Sequence, residues 1–192
     1  TQNVAQAFDL AIHRVFSSST GVIGERLPFG RLVAALPDLK QRLHPTAIKA
    51  AAEAIMTTDT FAKGASGQIE QDGKLVRIAG IAKGSGMIAP DMATMLVYIF
   101  TDAEIDQAEL QSMVRALSDV TFNCITVDSD TSTSDSLLVA ATGASGVQIT
   151  GVDDPFRAAL HDVMRDLAHQ VVRDGEGASK FVEIEVSGAA NA

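Results

Sequence analysis

The Asp72-Gly73 pair is the feature of this sequence that most constrains its fold. Residues 68–71 precede the pair and residues 74–78 follow it, and both short runs have the period of two that is typical of β-strands. Asp and Gly both tolerate the positive φ that a two-residue hairpin turn requires. The sequence therefore predicts two antiparallel strands joined at this pair.

A third strand and several helices are predicted around the hairpin. Residues 94–101 form a continuous apolar run, which is typical of a strand buried on both faces. Apolar residues at helical spacing predict a first helix from about Val4 to Val15 that breaks at 17–21, a short helix over 32–36 stopped by Pro37, and an alanine-rich helix over about 45–56. Later in the chain they predict a helix capped by Asp106 that ends near Ser118, and a long helix after Asp154-Pro155 that ends at Asp174-Gly175. Further strands are predicted over 122–128, 136–141 and 181–186. Strands interleaved with single helices predict an α+β fold of mixed α/β layers without an internal domain boundary.

Composition narrows the class of protein. The chain has 192 residues, 46% of them hydrophobic, and a formal net charge of −9, which fits a globular domain with one ordinary core. Nucleic acids and anionic membranes attract basic surfaces, so we expect neither as a partner. No membrane span and no secretion signal is recognisable in the sequence, and a single cysteine fits a reducing compartment. The expected location is therefore the cytoplasm.

The residues that most often bind metals give no convincing site. The four histidines have no close ligand spacing and stand at His13, His44, His161 and His169. The run from Asp128 to Asp135 has the alternating oxygens of a calcium loop, but the loop glycine is absent and the twelfth position is Val139. We expect a turn there, and no metal. Cys124 is expected to be a core residue on a strand and not a nucleophile.

A glycine-rich turn precedes the third predicted strand. Residues 83–86 read Lys-Gly-Ser-Gly, and Ala93 leads into Thr94 at the start of the apolar run. A threonine hydroxyl needs a neighbouring base, and the threonine's own α-amine becomes that base when the preceding bond is cut. The segment is thus typical of a self-cleaving threonine nucleophile, with Lys83 placed to hold an anion. On this segment alone, an ordinary loop before a buried strand, with a solvated lysine, is an open alternative.

Three further turns are candidates for a site. Residues 19–24, which include Thr20 and Gly21, combine a hydroxyl with glycine backbone that can face an oxyanion. Residues 56–60 end in Thr60 and carry hydroxyls and one carboxylate at a helix end. Glu176 lies between two glycines after the long helix, where backbone can approach a ligand closely. Each also has a purely structural interpretation, as a turn or a helix cap.

Taken together and in order, these motifs resemble the ornithine acetyltransferase family. The resemblance covers essentially the whole chain and rests on residues 19–24, 56–61, 83–90, 92–96, 125–133 and 173–178. It implies an αββα sandwich of the type shared with the DmpA aminopeptidases. Family members carry further sequence on both sides, so 1–192 would be the central part of one such unit.

The resemblance also implies a set of site residues. A precursor would cut itself between Ala93 and Thr94, so that 1–93 ends an α chain and 94–192 begins a β chain. Thr94 would be the nucleophile, and Thr20 with Gly21 would form the oxyanion hole. Thr60, Lys83, Thr94 and Glu176 would contact the substrate. We expect Lys83 to hold the substrate α-carboxylate and Glu176 to meet an amine or assist proton transfer.

The implied reaction belongs to arginine biosynthesis. Thr94 would take an acetyl group from N-acetylornithine and pass it to glutamate in a ping-pong cycle, with no cofactor, although some members accept acetyl-CoA as the donor. The implied partners are these small substrates, the α and β chains of one precursor, and further copies in a homo-oligomer. Two rival interpretations remain: a DmpA-type amidohydrolase or aminopeptidase, in which water resolves the acyl-threonine, and an inactive fragment.

Overall fold

A computed structural model describes residues 1–22, 24–71, 73–87, 95–130, 132–151 and 155–188. Its helices are α1 (Gln2–Phe8), α2 (Phe29–Gln41), α3 (Ile48–Ala54), α4 (Gln107–Asp119) and α5 (Pro155–Arg173). Its strands are β1 (Lys63–Gln71), β2 (Lys74–Lys83), β3 (Leu96–Thr101) and β4 (Ser136–Ala141), and short 3-10 helices cover Ile12–Arg14 and Phe122–Cys124. The predicted α+β class is confirmed.

The described strands form one sheet in the order β1-β2-β3-β4. β1 and β2 are the predicted hairpin, in which Gln71 pairs with Lys74. β3 is antiparallel to β2, with Leu96 opposite Lys83, and β4 is parallel to β3, with Ser136 opposite Leu96. Because parallel neighbours require a crossover, α4 lies between β3 and β4 in the chain.

These registers bring four strand ends to the same end of the sheet: the first residues of β1, β3 and β4 and the last residue of β2. We call this the lysine end, because β1 begins and β2 ends with a lysine. The predicted glycine-rich turn leaves the sheet here. The fold therefore gathers several of the predicted site segments at one edge.

One face of the sheet is covered by helix α5, with α4 beside it in the same core. The side chains of α5 that are buried in this layer are Phe156, Leu160, Val163, Met164, Leu167, Ala168 and Val171. The approach is closest at Gly80 on β2, where an added Cβ would lie 2.9 Å from the Leu167 Cδ1. A side chain at that position would push the helix and the sheet apart. The described residues thus supply one layer of strands and one layer of helices.

The later part of the chain follows several sequence predictions. Asp106 caps α4 by accepting hydrogen bonds from the backbone of Ala108 and Glu109. β4 spans the predicted residues, and α5 ends at the predicted Asp174-Gly175. Asp154, the predicted cap of α5, lies outside the described residues, as does the start of the third strand at Thr94.

The helices in the first third of the chain differ from prediction. α1 ends at Phe8 because Asp9 adopts the left-handed conformation with φ 53°, so Val15 is not on this helix. Pro37 does not stop α2, which starts at Phe29 and runs on to Gln41. A proline inside a helix removes its own N–H from the hydrogen-bond ladder and crowds the preceding turn, but here the helix continues through it. α3 begins only at Ile48, after a turn over 45–47.

Two predicted strands are wrong. Residues 122–124 form a 3-10 helix, in which Phe122 is buried and the Thr121 hydroxyl donates to the Leu117 carbonyl at the end of α4. Residues 181–186 form no strand in the described part of the chain, and Val182 and Ile184 are exposed. Alternation alone does not make a strand, since the backbone needs a neighbouring strand for its hydrogen bonds. The third strand is also less buried than predicted, because Phe100 is 47% exposed.

Candidate functional site

Lys83 is the centre of the candidate site. It is the last residue of β2 and only 3% of it is exposed, so the interpretation as a solvated surface lysine is wrong. Its ammonium donates a hydrogen bond to the Thr20 hydroxyl at 3.2 Å. Thr20 and Gly21 in turn line an open cleft of about 600 Å³. The structure therefore brings the predicted anion-binding lysine and the predicted oxyanion segment together.

A second hydrogen bond holds the segment around Thr20 on the face of the sheet that carries the Lys83 side chain. The Ser18 hydroxyl shares a short hydrogen bond with the Tyr98 hydroxyl on β3. Tyr98 pairs with Ile81, two residues before Lys83, so its side chain lies on the same face as that of Lys83. This contact positions Thr20 beside the ammonium across 63 residues of sequence.

The charge on Lys83 is poorly compensated. Burial lowers the pKa of its ammonium, with the nearby Lys63 cation acting in the same direction and Asp59 and Asp135 opposing it. Among the residues the structure describes, no carboxylate forms an ion pair with it. A buried cation without a counter-ion is unfavourable. An anionic ligand group would relieve that cost, which makes Lys83 a good carboxylate-binding group.

Ala93 and Thr94, the predicted cleavage site and nucleophile, lie outside the described residues, but the residue that follows them is held firmly. The Met95 N–H donates to Asp135 Oδ1 at 2.7 Å, and the Ser136 N–H donates to the Met95 carbonyl at 3.0 Å. Burial raises the pKa of Asp135 to about 6, although the Met95 N–H and the charge of Lys83 favour its ionised form. The Asp135 carboxyl group, with its raised pKa, thus binds the backbone of the residue that directly follows Thr94 in the sequence.

A second lysine at this end of the sheet is paired completely. Lys63, at the start of β1, is fully buried, and its ammonium lies 2.6 Å from Asp59 Oδ1 and 2.5 Å from Asp174 Oδ2. Burial alone would raise the pKa of each carboxyl group. Hydrogen bonds from Lys63 and the neighbouring backbone outweigh that effect, so the pKa of both is lowered. We call Asp59, Lys63 and Asp174 the buried triad.

The buried triad connects the loops that carry the predicted substrate residues. Asp59 accepts a hydrogen bond from the Gly84 N–H at 2.7 Å, directly after Lys83. Asp174 accepts from both the backbone and the hydroxyl of Thr60. The Glu176 N–H donates to the Ser85 carbonyl at 2.6 Å. Thr60, Lys83 and Glu176 are therefore linked through one hydrogen-bonded network, although the Thr60 loop was interpreted from sequence as a helix cap.

Sequence reasoning missed the buried triad and Asp135. Charged residues are rarely buried, so an isolated lysine or aspartate gives no sign of its location. The signal that was available for Lys63 is its place four residues after Asp59, at the start of a strand. For Asp135, the signal is its place one residue before β4. Neither pattern is specific enough to identify a site.

Other predicted features stand apart from this network. Cys124 is exposed, with its thiol 3.2 Å from the Asp119 carbonyl, so its expected place in the core is wrong. The 3-10 helix turns Phe122 inward in its place. Within the described ranges, no three acidic, histidine or cysteine side chains gather as metal ligands would. None of the described helices combines the length and hydropathy of a membrane span.

Comparison with known proteins gives a consistent result. The ArgJ family model matches residues 1–192. The chain is 67% identical over 191 residues to the arginine biosynthesis bifunctional protein ArgJ of Ruegeria pomeroyi, covering 100% of this chain and 47% of that protein. It is 53% identical to the protein of the same description from Gluconobacter oxydans, covering 96% of this chain and 45% of the relative. The chain thus spans less than half the length of these relatives.

Among solved structures, the chain is similar to the arginine biosynthesis bifunctional protein ArgJ of Bacillus halodurans. The match has 44% sequence identity and a TM-score of 0.41, and it covers 43% of this chain and 41% of that one.

Proposed function

Because the chain belongs to the ArgJ family, we propose that it is the central part of an acetyltransferase that moves an acetyl group from N-acetylornithine to glutamate. The observation that carries this proposal is the buried ammonium of Lys83 beside the Thr20 hydroxyl. A desolvated cation next to a hydroxyl suits a substrate that presents a carboxylate close to a reacting carbonyl group.

The chemistry would proceed through Thr94. Its hydroxyl oxygen attacks the acetyl carbonyl carbon of N-acetylornithine while a base, the α-amine of Thr94 itself, takes the hydroxyl proton. The carbon–nitrogen bond then breaks, and the proton passes to the ornithine amine as it leaves. The α-amine of glutamate attacks the resulting acetyl ester, which regenerates the hydroxyl and releases N-acetylglutamate. No cofactor is required, and acetyl-CoA is an alternative acetyl donor.

The hydrogen bond between Lys83 and Thr20 supports the oxyanion role of Thr20. A hydroxyl has one proton to donate and two lone pairs that accept. Since the Thr20 oxygen accepts from the Lys83 ammonium, its own proton is free to be donated to the oxyanion of a tetrahedral intermediate. The backbone N–H of Gly21 would supply the second donor.

The two charged residues would each recognise a different group of the substrate. Lys83 would bind the α-carboxylate, and Glu176 would meet an amine or assist a proton transfer. Residues 1–93 and 94–192 would belong to the α and β chains of one precursor, assembled in a cytoplasmic homo-oligomer. The sequence that the relatives carry beyond this chain would complete the site.

An acetyl-transfer assay on the full-length polypeptide tests the reaction. With N-acetylornithine as the donor, we expect rapid continued ornithine release to require glutamate, with one N-acetylglutamate formed for each ornithine. Ornithine release at the same rate without glutamate would instead indicate the hydrolase, in which water resolves the acyl-threonine.

Intact-mass measurement tests the self-cleavage separately. We expect a fragment that begins at Thr94, its loss in the variant T94A, and its retention in T94S, which keeps a hydroxyl. A single uncut species in the parent protein would contradict self-processing and favour an inactive chain.

A further inference from the structure

The hydroxyl of Thr60 already donates its proton in a hydrogen bond within the protein. Its hydroxyl donates to Asp174 Oδ1, and its backbone N–H donates to Oδ2 of the same carboxylate at 3.0 Å. An ionised carboxylate has no proton and can only accept hydrogen bonds. The direction of the bond is therefore fixed: Thr60 is the donor and Asp174 is the acceptor.

The buried triad holds Asp174 in that ionised state. The Lys63 ammonium lies 2.5 Å from Asp174 Oδ2, and the two side chains are 0% and 2% exposed. The hydrogen bonds from Lys63 and Thr60 lower the pKa of Asp174 despite its burial. Water does not reach this pair to offer Thr60 another arrangement. The orientation of one surface hydroxyl is thus set by charges buried beneath it.

Thr60 is an exposed residue, and the contact of its hydroxyl with Asp174 is only partly buried. Because its one proton is donated to Asp174, the Thr60 oxygen can only accept hydrogen bonds from a ligand. We propose, on the basis of the proposed function, that Lys63 and Asp174 fix Thr60 as a hydrogen-bond acceptor, so that the site selects a substrate N–H group there and disfavours a substrate that offers only oxygen acceptors.

The polarity of the site fits an amino-acid substrate. Lys83 is a donor and a cation, so it suits a carboxylate or carbonyl oxygen, whereas Thr60 and the carboxylate of Glu176 are acceptors, so they suit an amine or an amide N–H. N-acetylornithine and glutamate both present these two kinds of group. An oxo acid of the same skeleton places a carbonyl oxygen where the amine stands, which would face the lone pairs of Thr60.

The acceptor role of Thr60 can be tested by comparing the affinities of a ligand with an amine and a ligand with a carbonyl oxygen in its place. We would determine the dissociation constants of glutamate and 2-oxoglutarate for the full-length protein by calorimetry, together with acetyl transfer. One hydrogen bond contributes about 0.5–1.5 kcal/mol, or roughly 2- to 10-fold in affinity. We expect T60V to weaken glutamate by about that factor and to leave 2-oxoglutarate unchanged or bound more tightly. T60S retains the hydroxyl and should restore the preference.

Two further variants make the test specific to Asp174. An asparagine can donate from its amide to the Thr60 oxygen and release the hydroxyl proton, so D174N should also lower the preference for glutamate. T57V is the matched control, because Thr57 lies in the same loop, its side chain is exposed, and only its backbone N–H bonds to Asp59. It should change neither affinity. If D174N does not fold, the contrast between T60V and T60S decides the question.

The inference is overturned if the parent protein shows no preference for glutamate, or if T60V weakens both ligands equally or neither of them. Failure of the proposed function gives a different result, in which the parent protein transfers no acetyl group whatever its ligand preference.

Discussion

Lys63 and Lys83 are two buried lysines at the same end of the same sheet, and they differ in what surrounds their charge. Lys63 is 0% exposed and contacts two carboxylates within 2.6 Å. Lys83 is 3% exposed, and the partner the structure shows for it is a hydroxyl at 3.2 Å. The cost of burying a cation is offset by two carboxylates at Lys63, whereas the part of the chain that the structure describes provides no ion pair that would offset it at Lys83. Burial alone therefore does not distinguish the two lysines, whereas the presence of carboxylate partners among the described residues does.

The carboxyl groups near the two lysines also differ, in the direction in which their pKa is shifted. The two that contact Lys63 have a lowered pKa, because hydrogen bonds outweigh burial. Asp135 interacts with Lys83 only at longer range, and its burial dominates, so its pKa is raised to about 6. Lys63 thus belongs to a closed ionic cluster in which the pKa of both carboxyl groups is lowered, whereas burial lowers the pKa of Lys83 and raises that of Asp135.

The largest effect is expected from K63M. Removing the ammonium leaves Asp59 and Asp174 buried and unpaired, which should lower the free energy of unfolding by about 3–5 kcal/mol. Urea denaturation of the full-length protein measures this change. K49M is the control, since Lys49 is exposed and its ion pair with Glu53 spans 4.0 Å. Equal stability of K63M and K49M would contradict the structural role of the buried triad.

The variant K83M should act on substrate binding instead. A charge-assisted hydrogen bond contributes about 1.5–3 kcal/mol, so KM for N-acetylornithine should rise roughly 10- to 100-fold. Stability should fall little or even increase, because an uncompensated buried charge is removed. Steady-state kinetics and urea denaturation give the two values, with K180M, at an exposed lysine, as the control. A large loss of stability with unchanged KM would reverse the roles assigned to the two lysines.

The pH dependence of stability should separate the two sites. Asp135 binds its proton more tightly when folded, so its contribution is fully present below its unfolded pKa of 3.8 and is lost as the pH rises through about 6. Because Asp135 is only partly buried, solvent screening limits the size of that contribution to about 1–2 kcal/mol. Asp59 and Asp174 have the opposite sign, and their contribution is lost as the pH falls below 3.8.

The variant D135N isolates the first of these contributions. Urea denaturation between pH 4 and about 7 should show that the free energy of unfolding declines less with pH in D135N than in the parent. D130N, at an exposed aspartate of the same loop, should follow the parent curve. Parallel curves for D135N and the parent would show that Asp135 does not titrate in this range.

The smallest effect is expected from K74M. Lys74 begins β2, the strand that Lys83 ends, but it is exposed and donates to the Gly146 carbonyl at 3.3 Å. An exposed substitution of this kind should change the free energy of unfolding by less than about 0.5 kcal/mol and leave KM unchanged. A larger effect would show that position along the strand, and not the surroundings of the charge, decides the role of these lysines.

A structural feature could be predicted from the sequence when the residues that determine it are close together in the chain. The hairpin turn, the cap of α4 and the end of α5 follow from a few adjacent residues, and all three were predicted correctly. Lys63 could not be recognised, because its second partner, Asp174, lies 111 positions away. The same holds for Asp135, whose burial is created by strands that meet from distant parts of the chain.

The candidate site shows the same limit. Thr20, Thr60, Lys83 and Glu176 were selected by matching motifs, but their order in the sequence contains no information on their partners. That no carboxylate among the described residues forms an ion pair with Lys83 and that Thr60 donates to Asp174 are consequences of tertiary packing. The wrong strand over 181–186 has a related cause, since alternation describes the side chains and not the neighbour that a strand needs.

The sheet order has a mechanical consequence for a chain cut between Ala93 and Thr94. β1 and β2 precede that bond and β3 and β4 follow it, yet β2 and β3 are hydrogen-bonded neighbours from Ile78 and Thr101 to Lys83 and Leu96. Helix α5, also after the bond, packs against strands that come before it. The two products would share one core and one backbone ladder, so they would stay together in native conditions and separate only when the protein is unfolded.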